Sequence, residues 1–143
     1  MNPFRILALL CICLLASAAH AVPTREVTAQ ETARKWLALI DDGKYAAAHA
    51  QTAPIFQEEI AQKDWREALD KARKPLGKVL ERTLKSLFFT DELPDAPPGN
   101  YVVVQFETQF ENREEKALET ITPMWLELDE ATGEWRVAGY YIK

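Results

Sequence analysis

The chain has 143 residues, 48% hydrophobic, 27% charged and 10% aromatic, a balance that excludes a disordered or collagen-like polymer and suits a single domain. Its 17 Lys and Arg against 22 Asp and Glu give a net charge of -5, the wrong sign for a protein that holds nucleic acid through phosphates. Nucleic acid is therefore set aside as a partner.

The first segment reads as an export signal. One positive charge in Met1–Arg5 precedes the unbroken apolar run Ile6–Ala16, and the small residues Ser17, Ala18 and Ala19 follow it. Ala19-His20-Ala21 is an A-x-A pattern that places cleavage between Ala21 and Val22, with Ala16-Ser17-Ala18 as a second choice. A membrane span needs about 20 apolar residues, so the run is too short for an anchor. Leu10 before Cys11 and Ile12 before Cys13 do not suit lipidation. The expected domains are thus a leader, 1–21, and a mature unit, 22–143, with no membrane span. Both cysteines leave with the leader. That excludes disulfides, thiol catalysis and Cys-based metal sites in the mature unit, and with no glycosylation sequon it points to a bacterial periplasmic or secreted protein.

In the mature unit, Thr28-Ala29-Gln30-Glu31 is a capping box that predicts a helix start, with Ala33, Trp36, Leu37 and Ile40 as its apolar stripe and Asp41-Asp42-Gly43 as its end. A second helix is expected over Tyr45–Ala50. Pro54 interrupts it, and Ile55, Phe56 and Ile60 continue as a short amphipathic segment. Asp64 is the expected cap of a third helix built on Trp65, Leu69 and Ala72 and closed by Pro75 and Gly77. In the stretch from 78 to 89, Leu80, Leu84 and Phe88 fall at helical spacing, so periodicity alone favours helix there. The Pro- and Gly-rich stretch 91–100 is a loop. Val102, Val104, Phe106 and Phe110 then alternate with polar residues as a half-buried strand. A strand over 118–128 must carry Pro123 at an edge or a bulge, and Trp135–Ile142 is the last strand. Helices followed by strands make the fold class α+β, with N-terminal helices packed on an antiparallel meander.

Four stretches carry a likeness: Trp36 to Tyr45 (WLALIDDGKY), Lys74-Pro75-Leu76-Gly77, Gly99 to Phe106 (GNYVVVQF) and Trp135 to Ile142 (WRVAGYYI). Together they resemble the bacterial domain of unknown function 4019 family over about residues 28–143. The resemblance implies export and a cystatin-like or nuclear transport factor 2-like cone, in which three helices cover a strongly curved sheet. It makes residues 78–89 a strand, against their periodicity. It brings no established reaction.

Cones of that class often enclose a pocket, and ketosteroid isomerases among them use a carboxylate base with tyrosine or acid donors. Here Tyr45, Tyr101, Tyr140 and Tyr141 are available as donors, but no base stands out; Glu107 and Glu119 read as solvated sheet-face residues. His49 is the sole histidine of the mature unit, so no His-based metal site is expected, and its simpler reading is helix surface or a satisfied half-buried ring. Arg82 and Arg136 lie among apolar neighbours in strands, where each either pairs with a carboxylate or holds an anionic ligand. The candidate ligand-binding residues are therefore Arg82, Arg136, Tyr140, Tyr141 and His49. The four tryptophans read first as core and second as an aromatic wall. Residues 63–85 are net basic and 86–143 net acidic, which reads as solvated helix surface with Glu67–Lys71 and Asp70–Lys74 pairs ahead of a patch for an anionic partner.

The expected function is binding of a small ligand or a periplasmic protein without turnover and without a cofactor. One alternative is an isomerase or hydrolase acting on a small apolar ligand through a buried carboxylate and Tyr140 or Tyr141. The other is a structural module that forms a homodimer through apolar strand surface on Val102–Phe110 and Trp135–Ile142.

Overall fold

A computed structural model describes residues 23–143. The expected leader and its Ala21–Val22 cleavage point lie outside these residues. Among the described residues no helix is long and apolar enough to cross a membrane.

Four α-helices come first: α1 (Arg25–Asp41), α2 (Tyr45–Ala50), α3 (Pro54–Glu59) and α4 (Gln62–Ala72), followed by a 3-10 turn at Lys74–Leu76. The capping-box expectation is corrected by one turn. Thr24 is the N-cap of α1 and its hydroxyl accepts from the Val27 amide. The Thr28 hydroxyl faces the sheet instead, accepting from the Trp135 indole at 3.0 Å and donating to the Arg25 carbonyl at 2.9 Å. Tertiary contact with Trp135 takes the side chain that the local motif would have used as a cap. Asp64 likewise is not the cap of α4, which starts at Gln62; it lies in the first turn, where its charge faces the positive helix end. Pro54 opens α3, because the missing amide is one that a first turn leaves unpaired anyway.

The strands are β1 (Val79–Thr90), β2 (Tyr101–Phe110), β3 (Ala117–Glu127) and β4 (Gly133–Ile142), antiparallel in the order β1-β2-β3-β4. Residues 79–90 are thus strand, as the resemblance implies and periodicity does not. Leu80 and Leu84 are four apart, a spacing that is a multiple of two as well as near a helical turn. A register shift between Leu84 and Ser86 then changes which face follows, so Phe88 sits opposite Val103 rather than in line with Leu84. Pro123 lies in an inner strand, at the register shift between Thr122 and Pro123.

α1, with α2 and α4 packed behind it, covers one face of the sheet, and α3 packs at β4. The pairs Val104–Ile121 and Pro123–Val137 set its rows, and Val102, Val104, Phe106, Ile121 and Val137 meet the Ala29, Ala33, Trp36, Leu37 and Ile40 stripe of α1. The two alanines let α1 approach closely. Trp36 is wedged between Trp65 and Tyr140, with ring centroids 5.8 and 5.2 Å away, and its indole donates to the Ala48 carbonyl at 2.9 Å. Each large side chain buried in this layer contributes about 1.5–3 kcal/mol.

Candidate functional site

On the helix-covered face the register places an unexpected polar group. Glu119 of β3 follows Ala117 and precedes Ile121 at two-residue steps, so it points with them into the interior, and it is fully buried. The solvated reading holds for Glu107, which is half-exposed and paired with Lys85 at 2.9 Å, and fails for Glu119. Arg82 of β1 stands opposite Thr108 of β2 on the same face. Its Nε donates to Glu119 Oε1 at 2.9 Å, with Nη2 in ion-pair contact with the same oxygen at 2.8 Å, while Nη1 and Nη2 fork onto Asp41, the last residue of α1, at 2.6 and 3.0 Å. The Thr108 hydroxyl adds a bond to Glu119 Oε1 at 2.5 Å, and the Tyr140 hydroxyl donates to Oε2 at 2.6 Å.

Arg73, just after α4, completes the group. It was not singled out in the sequence, where it looks like one more cation of a basic run. Its side chain is 4% exposed, donates to Asp41 at 3.1 Å and to the Gly77 carbonyl at 2.7 Å, and lies over the Phe110 ring at 4.5 Å. Two guanidinium groups thus meet two carboxylates. The charges balance, and the contacts tie the end of α1 and the turn after α4 to all four strands. Burial alone would lower the Arg82 guanidinium; its bonds to Asp41 and the charge of Glu119 outweigh that and raise it above the ordinary arginine range. Burial first, and then the Glu119 carboxylate, hold the Tyr140 phenol well above its usual value of 10.0, so it is a neutral donor at pH 7.

The five candidate ligand residues do not converge. Arg82 and Tyr140 belong to the buried ion group. His49 is buried in α2, its Nε2 at 2.7 Å from the Ile60 carbonyl and its ring edge-on to Phe56. Arg136 pairs with Glu134 at 2.6 Å at the start of β4. Tyr141, next to Tyr140 in β4, points to the opposite face and is 66% exposed. Of the expected helix pairs, Asp70–Lys74 forms at 3.7 Å, but Glu67 pairs with Lys63 rather than Lys71.

Three clefts open on the surface of the described residues. One of about 370 Å³ borders the ion group beside Asp41, Tyr45 and Arg73. One of about 340 Å³ lies between α1 and the start of β4, with Trp36 and Arg136 in its wall. The third, about 410 Å³, lies on the face away from α1, between α3 and the loop from β1 to β2, with Tyr101, Thr122 and Tyr141 in its wall. Glu119 lines none of them. Exposed large apolar side chains are concentrated on the edge strand β1, at Leu80, Leu84, Phe88 and Phe89, whereas the apolar residues of β2 are buried. The surface expected on Val102–Phe110 is therefore core, because α1 covers one side of it and Tyr101 and Val103 are buried on the other. Among the described residues no three His, Cys, Asp or Glu side chains are grouped as metal ligands.

No match is found among curated proteins or among solved structures. A family model described as protein of unknown function (DUF4019) matches residues 32–140, from the middle of α1 to Tyr140 and through every element that builds the ion group. The chain belongs to the DUF4019 family.

Proposed function

We propose that this is an exported bacterial binding domain that takes a small ligand or a periplasmic partner without turning it over. The observation that carries this reading is the state of Glu119. An enzyme of the isomerase or hydrolase kind needs a carboxylate that a substrate can reach, and the fully buried carboxylate among the described residues has both oxygens engaged by Arg82, Thr108 and Tyr140 and lines none of the three clefts. Export rests on the A-x-A pattern at Ala19–Ala21 behind an apolar run. Kinship with nuclear transport factor 2-like domains belongs to the same proposal, supported by the order of helices before an antiparallel meander.

Native mass spectrometry of the full chain expressed in a bacterial host and taken from the periplasmic fraction tests it. The expected result is a mass starting at Val22 with a retained small-molecule or protein adduct. An intact Met1 in the membrane fraction overturns export, and a purified protein that consumes a substrate overturns binding without turnover.

A second reading, homodimerisation, is favoured by the exposed apolar side chains of β1, an edge strand whose outer side pairs with no other strand of the sheet. Sedimentation of the Leu84→Lys/Phe88→Lys variant against the unmodified chain checks it; the dimer reading expects dissociation.

A further inference from the structure

We infer that the cleft of about 410 Å³ on the sheet face away from α1 is a binding site for a small organic amine, a protonated ammonium on an apolar body. This rests on the reading of the chain as a ligand-binding domain and names the ligand class.

The volume lies within the range of small-molecule sites. Ile55, Leu93, Tyr101 and Tyr141 give walls suited to an apolar or aromatic body. The ionisable groups of the lining, tyrosines aside, are two carboxylates, Glu59 from α3 and Asp95 from the loop between β1 and β2. Neither forms an ion pair among the described residues, and no lysine or arginine lines the cleft. The exposed Tyr141 ring adds a π-face for a cation.

The floor supplies an independent observation. Thr122 is 6% exposed, its side chain makes no hydrogen bond among the described residues, and it lines this cleft. Thr122 is almost wholly buried as a residue, yet its hydroxyl is not a sealed, orphaned atom; it opens on the cleft, where an ammonium N–H finds it free as an acceptor. Gly139 lies opposite Thr122 in the register and leaves the space above it open. A Cβ added there would sit at 3.6 Å from Thr122 Cβ and 3.7 Å from Oγ1 and from the Tyr141 ring, ordinary contact distances. The backbone can therefore carry a larger residue, and that residue would fill the cleft. Two carboxylates at the rim, a free hydroxyl in the floor and apolar walls select a cation with N–H donors over a neutral or anionic molecule of the same shape.

The test is titration of the 15N-labelled mature chain with three shape-matched probes: 4-phenylbutylamine, 4-phenylbutanol and 4-phenylbutyrate. The expected result is saturable binding of the amine, with shifts at Thr122, Gly139 and Tyr141, about fivefold weaker binding of the alcohol and none of the carboxylate. Glu59→Gln/Asp95→Asn should weaken the amine to the level of the alcohol and leave the alcohol unchanged. Asn tolerates the left-handed backbone that Asp95 adopts, with φ 59°, so this variant keeps the loop. Thr122→Val should weaken the amine several-fold without loss of stability, since the hydroxyl has no internal partner to lose. Gly139→Leu should abolish binding in a folded protein. Equal binding of amine and alcohol, binding of the carboxylate, or indifference to Thr122→Val overturns the inference. If a periplasmic adduct is found while the amine fails, the inference falls and the binding-domain reading stands; if neither adduct nor any probe binds, both fall.

Discussion

Cutting the Arg82–Glu119 pair from each side, and then from both, tests the reading of the ion group as a structural lock. Arg82→Met leaves Glu119 fully buried with only the neutral Thr108 and Tyr140 hydroxyls for company. Glu119→Leu leaves Arg82 and Arg73 facing the single charge of Asp41. Removing one member of a buried pair costs about 3–5 kcal/mol, because the other charge stays behind uncompensated. Independent effects would therefore total about 6–10 kcal/mol in the double variant, comparable with the whole stability of a domain of this size. The double variant Arg82→Met/Glu119→Leu carries no orphaned charge at this pair. It loses one acceptor each for Thr108 and Tyr140, at about 1–2 kcal/mol apiece, so a cost of about 2–4 kcal/mol is expected. Urea unfolding at pH 7, followed by fluorescence of the four tryptophans, measures all three. The double variant should be no less stable than either single one and should fall short of the summed cost by at least about 2 kcal/mol. Single variants costing under about 1 kcal/mol, or a strictly additive double, would refute the lock.

Tyr140 should also leave an alkaline signature. Its phenol is raised in the folded state, so the fold retains a proton that the unfolded chain releases, and stability present below the ordinary value of 10.0 is lost as pH rises above it. The slope of stability against pH above 10 should be shallower in Tyr140→Phe than in the unmodified chain, and equal slopes would count against a phenol buried beside Glu119. Gly133→Ala should cost about 2 kcal/mol in urea unfolding, since a Cβ there meets the Trp125 ring and stands 2.7 Å from the Leu126 carbonyl, whereas Gly139→Ala, with only ordinary contacts, should be close to neutral. Trp36→Phe should lower stability by about 2 kcal/mol, through the lost bond to the Ala48 carbonyl and a void between Trp65 and Tyr140, and calorimetry would read it directly.

Local chemistry along the chain determined the order of the elements. Gly43, Pro54, Gly77 and the proline loop 91–100 mark most of the boundaries, the stripe Ala33-Trp36-Leu37-Ile40 marks the buried side of α1, and the alternation from Val102 to Phe110 marks a strand with one face in the core. Pro123 was legible as an edge or bulge position because it has no amide to pair, and the inner placement of β3 makes it the bulge. The inward side of Glu119 was also legible, by counting two from Ile121; weighting its charge over its parity hid it.

Other features had no local signal. The Thr28 hydroxyl could cap a helix or serve Trp135, 107 residues later in the chain, and only the packing of α1 on β4 selects the second. Arg73 and Asp41 are 32 residues apart, and Arg82 and Glu119 are 37 apart, so neither pair is visible until the meander and the helix layer bring them together. The separation of the adjacent Tyr140 and Tyr141 into a buried donor and an exposed cleft wall follows from the two-residue period of β4, but which became which depended on the register of β3 against β4. Composition and spacing therefore determined most of the helices and strands, β1 excepted, since those depend on neighbours within a turn or two. Tertiary structure alone decided which charges are paired and where a cleft opens, since these depend on distances between residues far apart in the chain.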